Sequence, residues 1–124
     1  MIKILIVEDQ ALLRDSLECD INSQNDMEVV GVTNDASKAP ELCRKLNPEL
    51  VLMDLVTENG AKGLSFAAQI RQEQPEIKIV IMTSLPEISF IDEAKKAGLF
   101  SYIHKNAGKE HLFYTIRCTM EPIS

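Results

Sequence analysis

The feature that most constrains the fold is an alternation of five short apolar runs with longer amphipathic segments. The runs lie at Ile2–Val7, Met27–Val32, Leu50–Asp54, Ile77–Thr83 and Phe100–His104. Most of them hold Ile, Val and Leu at consecutive positions, which is typical of strands buried on both faces of a parallel sheet. Parallel strands need crossover connections, which place helices on the sheet faces. The pattern therefore predicts an α/β fold with a single doubly wound five-stranded parallel sheet.

Helical spacing of apolar residues predicts five helices between and after these strands. They lie at about 11–22, 37–46, 64–73, 87–97 and 109–119. The residues of the first helix expected to face the core are Leu12, Leu13, Leu17 and Ile21. In the second helix, Ser37 is expected to be the N-cap and Pro40 to lie in the first turn, where its missing N–H does no harm.

The composition excludes several kinds of protein. A chain of 124 residues is the size of one domain. A net charge of −6 opposes direct contact with DNA, which requires clustered Lys and Arg. Three widely spaced cysteines without a CxxC pair argue against a disulfide framework and favour the reducing cytoplasm. No apolar stretch is long enough to predict a membrane span, so we expect no membrane partner.

Polar residues follow the predicted strands at their carboxyl ends, where open α/β sheets bind ligands. Glu8 and Asp9 follow the first strand, Asp54 ends the third, Thr83 ends the fourth and Lys105 follows the fifth. Three carboxylates at one edge must take up protons, spread out or bind a cation, and oxygen ligands suit Mg²⁺. Acids, a divalent cation, a lysine and a hydroxyl together can handle a phosphoryl group.

These residues lie in segments that match a known family. The segments are residues 2–14, 49–55, 77–84 and 97–105. Through them the chain resembles the receiver domain of bacterial two-component response regulators. Residues 27–55 look most like the NarL/FixJ subgroup, whose members carry a C-terminal helix-turn-helix DNA-binding domain. The resemblance implies the flavodoxin-like strand order 2-1-3-4-5, a receiver domain over residues 1–120 and the start of an interdomain linker at 121–124.

The resemblance also implies a phosphoacceptor and a metal site. Asp54 would accept a phosphoryl group from a sensor histidine kinase and form an acyl phosphate. Asp9 and Asp54 would bind Mg²⁺ directly, together with the backbone carbonyl of Val56. Glu8 would assist through a water. Such a domain catalyses its own phosphorylation and dephosphorylation and is not an enzyme for an external substrate.

A conformational switch is implied as well. Lys105 would pair with the phosphoryl oxygens, and Thr83 would turn its hydroxyl towards them. Tyr102 matches the aromatic residue that turns inward when Thr83 is recruited. The response would change the association surface made by the helix predicted over 87–97, the fifth strand and the last helix. The expected results are homodimerisation and control of transcription through a DNA-binding domain that this chain lacks.

The sequence departs from the common family pattern near the acceptor. The usual Met-Pro pair is missing between Leu55 and Gly63, which leaves the shape of that loop open. Val56 and Leu85, each two residues beyond a site residue, are aliphatic and cannot orient a hydrolytic water. We therefore hypothesise slow self-dephosphorylation.

Other functions fit the sequence less well. A haloacid-dehalogenase phosphatase needs an acidic proton donor two residues after its nucleophile, and Val56 occupies that position. A nucleotide- or flavin-binding domain expects a glycine-rich turn after the first strand, where this chain has Glu8 and Asp9. A receiver-like module that works by dimerisation without phosphorylation remains the alternative.

Overall fold

The computed structural model describes residues 1–55, 63–83 and 101–121. The strands are β1 (Ile2–Val7), β2 (Met27–Thr33), β3 (Leu50–Asp54), β4 (Lys78–Thr83) and β5 (Ser101–His104). The helices are α1 (Ala11–Asn22), α2 (Ala39–Leu46), α3 (Gly63–Glu73) and α4 (Lys109–Met120), with a 3₁₀ turn at Ala36–Lys38 before α2. None of these helices is long and apolar enough to cross a membrane. The helix predicted over 87–97 lies outside the described residues.

The strands form one parallel sheet in the order β2-β1-β3-β4-β5. This confirms the predicted fold class and strand order. The central strand β3 is buried at all five positions, as its continuous apolar run predicts. The edge strand β2 is only partly buried.

Alternate residues of the sheet pack against helices on its two faces. On one face, Leu5 and Val7 join a cluster with buried residues of α2 and α3. On the other face, Ile4 and Ile6 join a cluster with buried residues of α1 and α4. The described helices thus cover both faces of the sheet. The carboxyl ends of the strands lie together at one edge of the sheet.

Two local expectations from the sequence are wrong. Leu12 is 88% exposed, because α1 turns the opposite face, with Leu17 and Ile21, towards the sheet. The cap before α2 is Asp35 rather than Ser37. The Asp35 carboxylate accepts hydrogen bonds from the Ser37 backbone N–H and hydroxyl at 2.9 and 2.7 Å, which favours a 3₁₀ turn there before α2 begins. Pro40 lies in the first turn of α2, as predicted.

Candidate functional site

The strand register brings the polar residues to one edge of the sheet. Val7 pairs with Met53 between β1 and β3, so Glu8 and Asp54 follow at equivalent positions on neighbouring strands. Thr83 pairs with His104 between β4 and β5, and the Lys105 backbone N–H donates to the Thr83 carbonyl at 2.8 Å. The parallel arrangement therefore places residues far apart in the chain side by side.

Three carboxylates form a compact cluster at this edge. One oxygen each from Glu8, Asp9 and Asp54 lies within 4.8 Å of the others. Glu8 and Asp54 are buried, whereas Asp9 is half-buried. Negative charges this close repel by several kcal/mol at an effective dielectric of about 20. The three carboxylates therefore need bound protons or nearby cations to stay this close together.

Lys105 provides one positive charge. Its Nζ lies 3.0 Å from Asp54 Oδ1 and 3.1 Å from Glu8 Oε1, with the lysine side chain 14% exposed. Burial alone would lower the pKa of Lys105, but the carboxylates of Asp54 and Glu8 outweigh it and raise the pKa above its usual range. Lys105 therefore stays a cation and joins two of the three acids.

The acids differ in their affinity for protons. Burial raises the pKa of Asp54 to about 7, although the hydrogen bond with Lys105 opposes the rise. Burial also raises the pKa of Asp9, but its hydrogen bonds with Asp54 and Glu8 and the charge of Lys105 give a net lowering. Without a further cation, the raised pKa of Asp54 favours a proton on this carboxyl below pH about 7.

The cluster fits a hard divalent cation. Its side-chain ligand atoms are all carboxylate oxygens, the type that such cations prefer. Asp54 Oδ2 is buried and receives no hydrogen bond from any residue that the structure describes. A buried acceptor without a donor is costly, and a bound cation removes that cost. The residues present can therefore hold a metal ion between Asp9 and Asp54.

The other predicted site residues have mixed outcomes. Thr83 is buried at the end of β4, next to Asp54 on β3. Tyr102 is 46% exposed on β5, facing away from the core. Val56 and Leu85 lie outside the described residues, so their predicted roles remain predictions.

Two contacts at the site were not expected from the sequence. Arg14, on the first turn of α1, donates from Nη1 to the Glu8 backbone carbonyl at 2.9 Å. Gly63, the first residue of α3, lies so close to Asp54 that a Cβ would overlap the Asp54 carbonyl oxygen. The sequence does offer one indication of the Arg14 contact. Arg14 lies in the first turn of the predicted first helix, close in the chain to Glu8, which follows the first strand.

Known proteins are similar to this chain in sequence and in fold. Residues 4–117 match the family model of the response regulator receiver domain. The chain is 36% identical over 115 residues to the oxygen regulatory protein NreC of Staphylococcus aureus, covering 93% of this chain and 53% of NreC. It therefore spans about half the length of that relative.

Solved structures of response regulators are also similar to this chain. A DNA-binding response regulator of the LuxR family from Staphylococcus aureus is 27% identical, with a TM-score of 0.90 over 98% of this chain and 100% of that one. The response regulator domain of Thermotoga maritima CheB is 29% identical, with a TM-score of 0.88 over 100% of this chain and 99% of that one. The NreC and LuxR-family matches agree with the NarL/FixJ subgroup predicted from residues 27–55. This chain belongs to the family of response regulator receiver domains.

Proposed function

We propose that this domain is a phosphorylation-controlled switch in which Asp54 accepts a phosphoryl group with the help of Mg²⁺. The observation that carries the proposal is the environment of Asp54: a buried carboxylate 3.0 Å from the Lys105 ammonium, within a ring of acidic oxygens from Glu8 and Asp9. This arrangement combines a nucleophile with the positive charge that a phosphoryl group requires.

The chemistry follows from the groups present. An ionised Asp54 oxygen forms a bond to phosphorus while the bond from phosphorus to the donor nitrogen of a kinase phosphohistidine breaks. The departing imidazole keeps that bond's electron pair and takes a proton from solvent. Lys105 balances charge on the phosphoryl oxygens, and its contact with Glu8 holds the ammonium in place. Bound Mg²⁺ would supply further charge neutralisation, held by Asp9 and Asp54 directly and by Glu8 through a water.

The output follows from the added charge. An acyl phosphate brings about two negative charges and new acceptor oxygens to the site. Thr83 ends β4, the strand that pairs with the strand of Asp54, and Lys105 follows β5 with its ammonium 3.0 Å from Asp54, so both residues supply donors for these oxygens. Movement of Thr83 leaves room for Tyr102 to turn inward from its exposed position on β5. The surface of β5 and α4 then changes, which promotes homodimerisation and signals to a DNA-binding domain elsewhere in a longer protein.

Mass spectrometry tests the acceptor directly. Incubation with a small phosphodonor such as acetyl phosphate and Mg²⁺ is expected to add one phosphoryl group to the parent protein. Asp54→Asn is expected to add none, and chelation of Mg²⁺ is expected to prevent the addition.

The matched control is Asp26→Asn, which removes an exposed carboxylate that pairs with Arg117 away from the site. It is expected to be phosphorylated like the parent. Phosphorylation that persists in Asp54→Asn would move the acceptor to another residue. No phosphorylation of the parent under any condition would favour the alternative, a module that dimerises without phosphorylation.

A further inference from the structure

Arg14 makes a contact with the backbone that carries the candidate metal ligands. It lies in the first turn of α1, is half-buried, and donates from Nη1 to the Glu8 carbonyl at 2.9 Å. A guanidinium–carbonyl hydrogen bond is charge-assisted and geometrically specific. The acceptor is the carbonyl of the peptide unit that joins Glu8 to Asp9.

The rest of this short segment is already held. The Glu8 backbone N–H donates to the Thr33 carbonyl at 3.0 Å, and the Gln10 backbone N–H donates to Glu8 Oε2 at 3.0 Å. A peptide unit is planar, so the direction of the Glu8 carbonyl determines where the Asp9 N–H and Cα lie. Arg14 thus restrains the remaining part of the backbone that orients the half-buried Asp9.

We propose that Arg14 is a positioning residue that orients the Glu8–Asp9 peptide so that the Asp9 carboxylate faces Asp54 and the divalent cation. The inference rests on the proposed function, because it assigns Arg14 a role in binding Mg²⁺ at that site. Arg14 acts through the backbone and does not touch the cation or the phosphoryl group.

The charge of Arg14 and its proposed positioning role predict opposite changes in Mg²⁺ affinity when Arg14 is replaced, which makes the proposal testable. By charge alone, a guanidinium near a cation site repels the cation, so its removal would tighten Mg²⁺ binding. If Arg14 positions Asp9, its removal weakens Mg²⁺ binding instead. Loss of a hydrogen-bond partner behind a metal ligand weakens metal affinity by about 10–100-fold.

The experiment is a calorimetric titration of the unphosphorylated protein with Mg²⁺ at constant pH. For Arg14→Met, the Mg²⁺ dissociation constant is expected to rise by about tenfold, the low end of the range for such partners. Arg14→Lys keeps the charge and one donor at similar reach, so an intermediate increase is expected. In phosphorylation by acetyl phosphate, the half-saturating Mg²⁺ concentration is expected to rise, while the rate at saturating Mg²⁺ returns to that of the parent.

Arg71→Met is the matched control. Arg71 is also half-buried, and its Nη1 donates to the backbone carbonyl of Pro75 at 2.6 Å, before β4 and at the opposite edge of the sheet. The variant removes the same kind of bond away from the acids, so its Mg²⁺ dissociation constant is expected to equal that of the parent.

The outcomes separate the two claims. Unchanged or tighter Mg²⁺ binding in folded Arg14→Met would overturn the positioning role and leave the proposed function intact. If urea denaturation shows that Arg14→Met does not fold, Arg14→Lys decides the question, and binding equal to that of the parent would overturn the role. A parent protein that binds no Mg²⁺ would overturn the proposed function and this inference with it.

Discussion

Asp54 combines two requirements that oppose each other. In its proposed role as a nucleophile Asp54 must be ionised, yet burial beside Glu8 and Asp9 raises its pKa to about 7 from an ordinary value of 3.8. The Lys105 ammonium at 3.0 Å offsets only part of this effect. In the proposed mechanism a divalent cation would keep Asp54 ionised as well as neutralise the incoming phosphoryl group.

The raised pKa of Asp54 predicts how stability depends on pH when no metal is bound. The folded protein keeps a proton on Asp54 between pH about 4 and about 7 that the unfolded chain has lost, so the free energy of unfolding falls as pH rises through that window. Asp54→Asn removes this contribution. In EDTA the variant is expected to gain about 2 kcal/mol relative to the parent between pH about 5 and about 8, since one pKa unit is worth about 1.4 kcal/mol. Urea denaturation at both pH values measures the difference.

Excess Mg²⁺ supplies the control for this pH dependence. Metal binding displaces the proton from Asp54, so the parent is expected to gain stability with rising pH in Mg²⁺ instead of losing it. A parent and an Asp54→Asn variant with the same pH dependence in EDTA would contradict the raised pKa of Asp54.

At the scale of single residues, the sequence predicts the positions of those site residues that lie at the ends of strands. Asp54 and Lys105 meet because each ends or follows a strand of one parallel sheet, and that rule needs only the order of the elements. The contact of Arg14 depends instead on the direction in which α1 leaves the sheet. That direction results from packing of the whole helix, which the spacing of apolar residues does not specify.

At the scale of elements, the start of α3 beside Asp54 depends on one glycine. The Gly63 backbone N–H donates to the Leu55 carbonyl at 2.6 Å, and the start of α3 presses against the backbone of Asp54. A side chain at this position would meet the Asp54 carbonyl oxygen, which is backbone and cannot rotate away. The glycine therefore allows α3 to begin directly beside the proposed phosphoacceptor.

Gly63→Ala is expected to destabilise the domain by about 1–3 kcal/mol, the usual cost of inserting a methyl group into a filled space. It is also expected to slow phosphorylation of Asp54, because the start of α3 must shift relative to the Asp54 backbone. Urea denaturation and phosphorylation by acetyl phosphate measure the two effects. Gly108→Ala is the matched control, since a Cβ at Gly108 meets nothing within 4 Å. Equal stability of the two variants would show that the contact with Asp54 is easily relieved.

The errors in the sequence prediction of elements have a common cause. The spacing of Leu12 fits an apolar helix face and predicts a core position, yet Leu12 is exposed because α1 turns Leu17 and Ile21 towards the sheet. The residue type of Ser37 predicts a cap, but the Asp35 carboxylate two residues earlier accepts the hydrogen bonds there. Both choices depend on tertiary packing that local patterns do not contain.

At the scale of the whole molecule, the last helix is tied to the turn between α1 and β2. Arg117 on α4 donates from Nε and Nη2 to the two Asp26 carboxylate oxygens, each at 2.9 Å. Nη2 also donates to Gln24 at 3.0 Å, and the guanidinium carbon lies 5.8 Å from the centre of the Phe113 ring. The contact joins residues 91 positions apart and fixes the C-terminal helix against the N-terminal half of the domain.

A double-mutant cycle with Arg117→Met and Asp26→Asn measures this connection. Each single variant is expected to lose a small amount of stability, less than Gly63→Ala, because both side chains are about half exposed and water competes for them. The coupling between the two is expected to be favourable at low salt. It should largely disappear in about 1 M salt, where the screening length falls to about 3 Å. A coupling near zero at low salt would mean that Arg117 holds α4 through its packing on Phe113 rather than through Asp26, in which case the Asp26→Asn variant alone would be as stable as the parent.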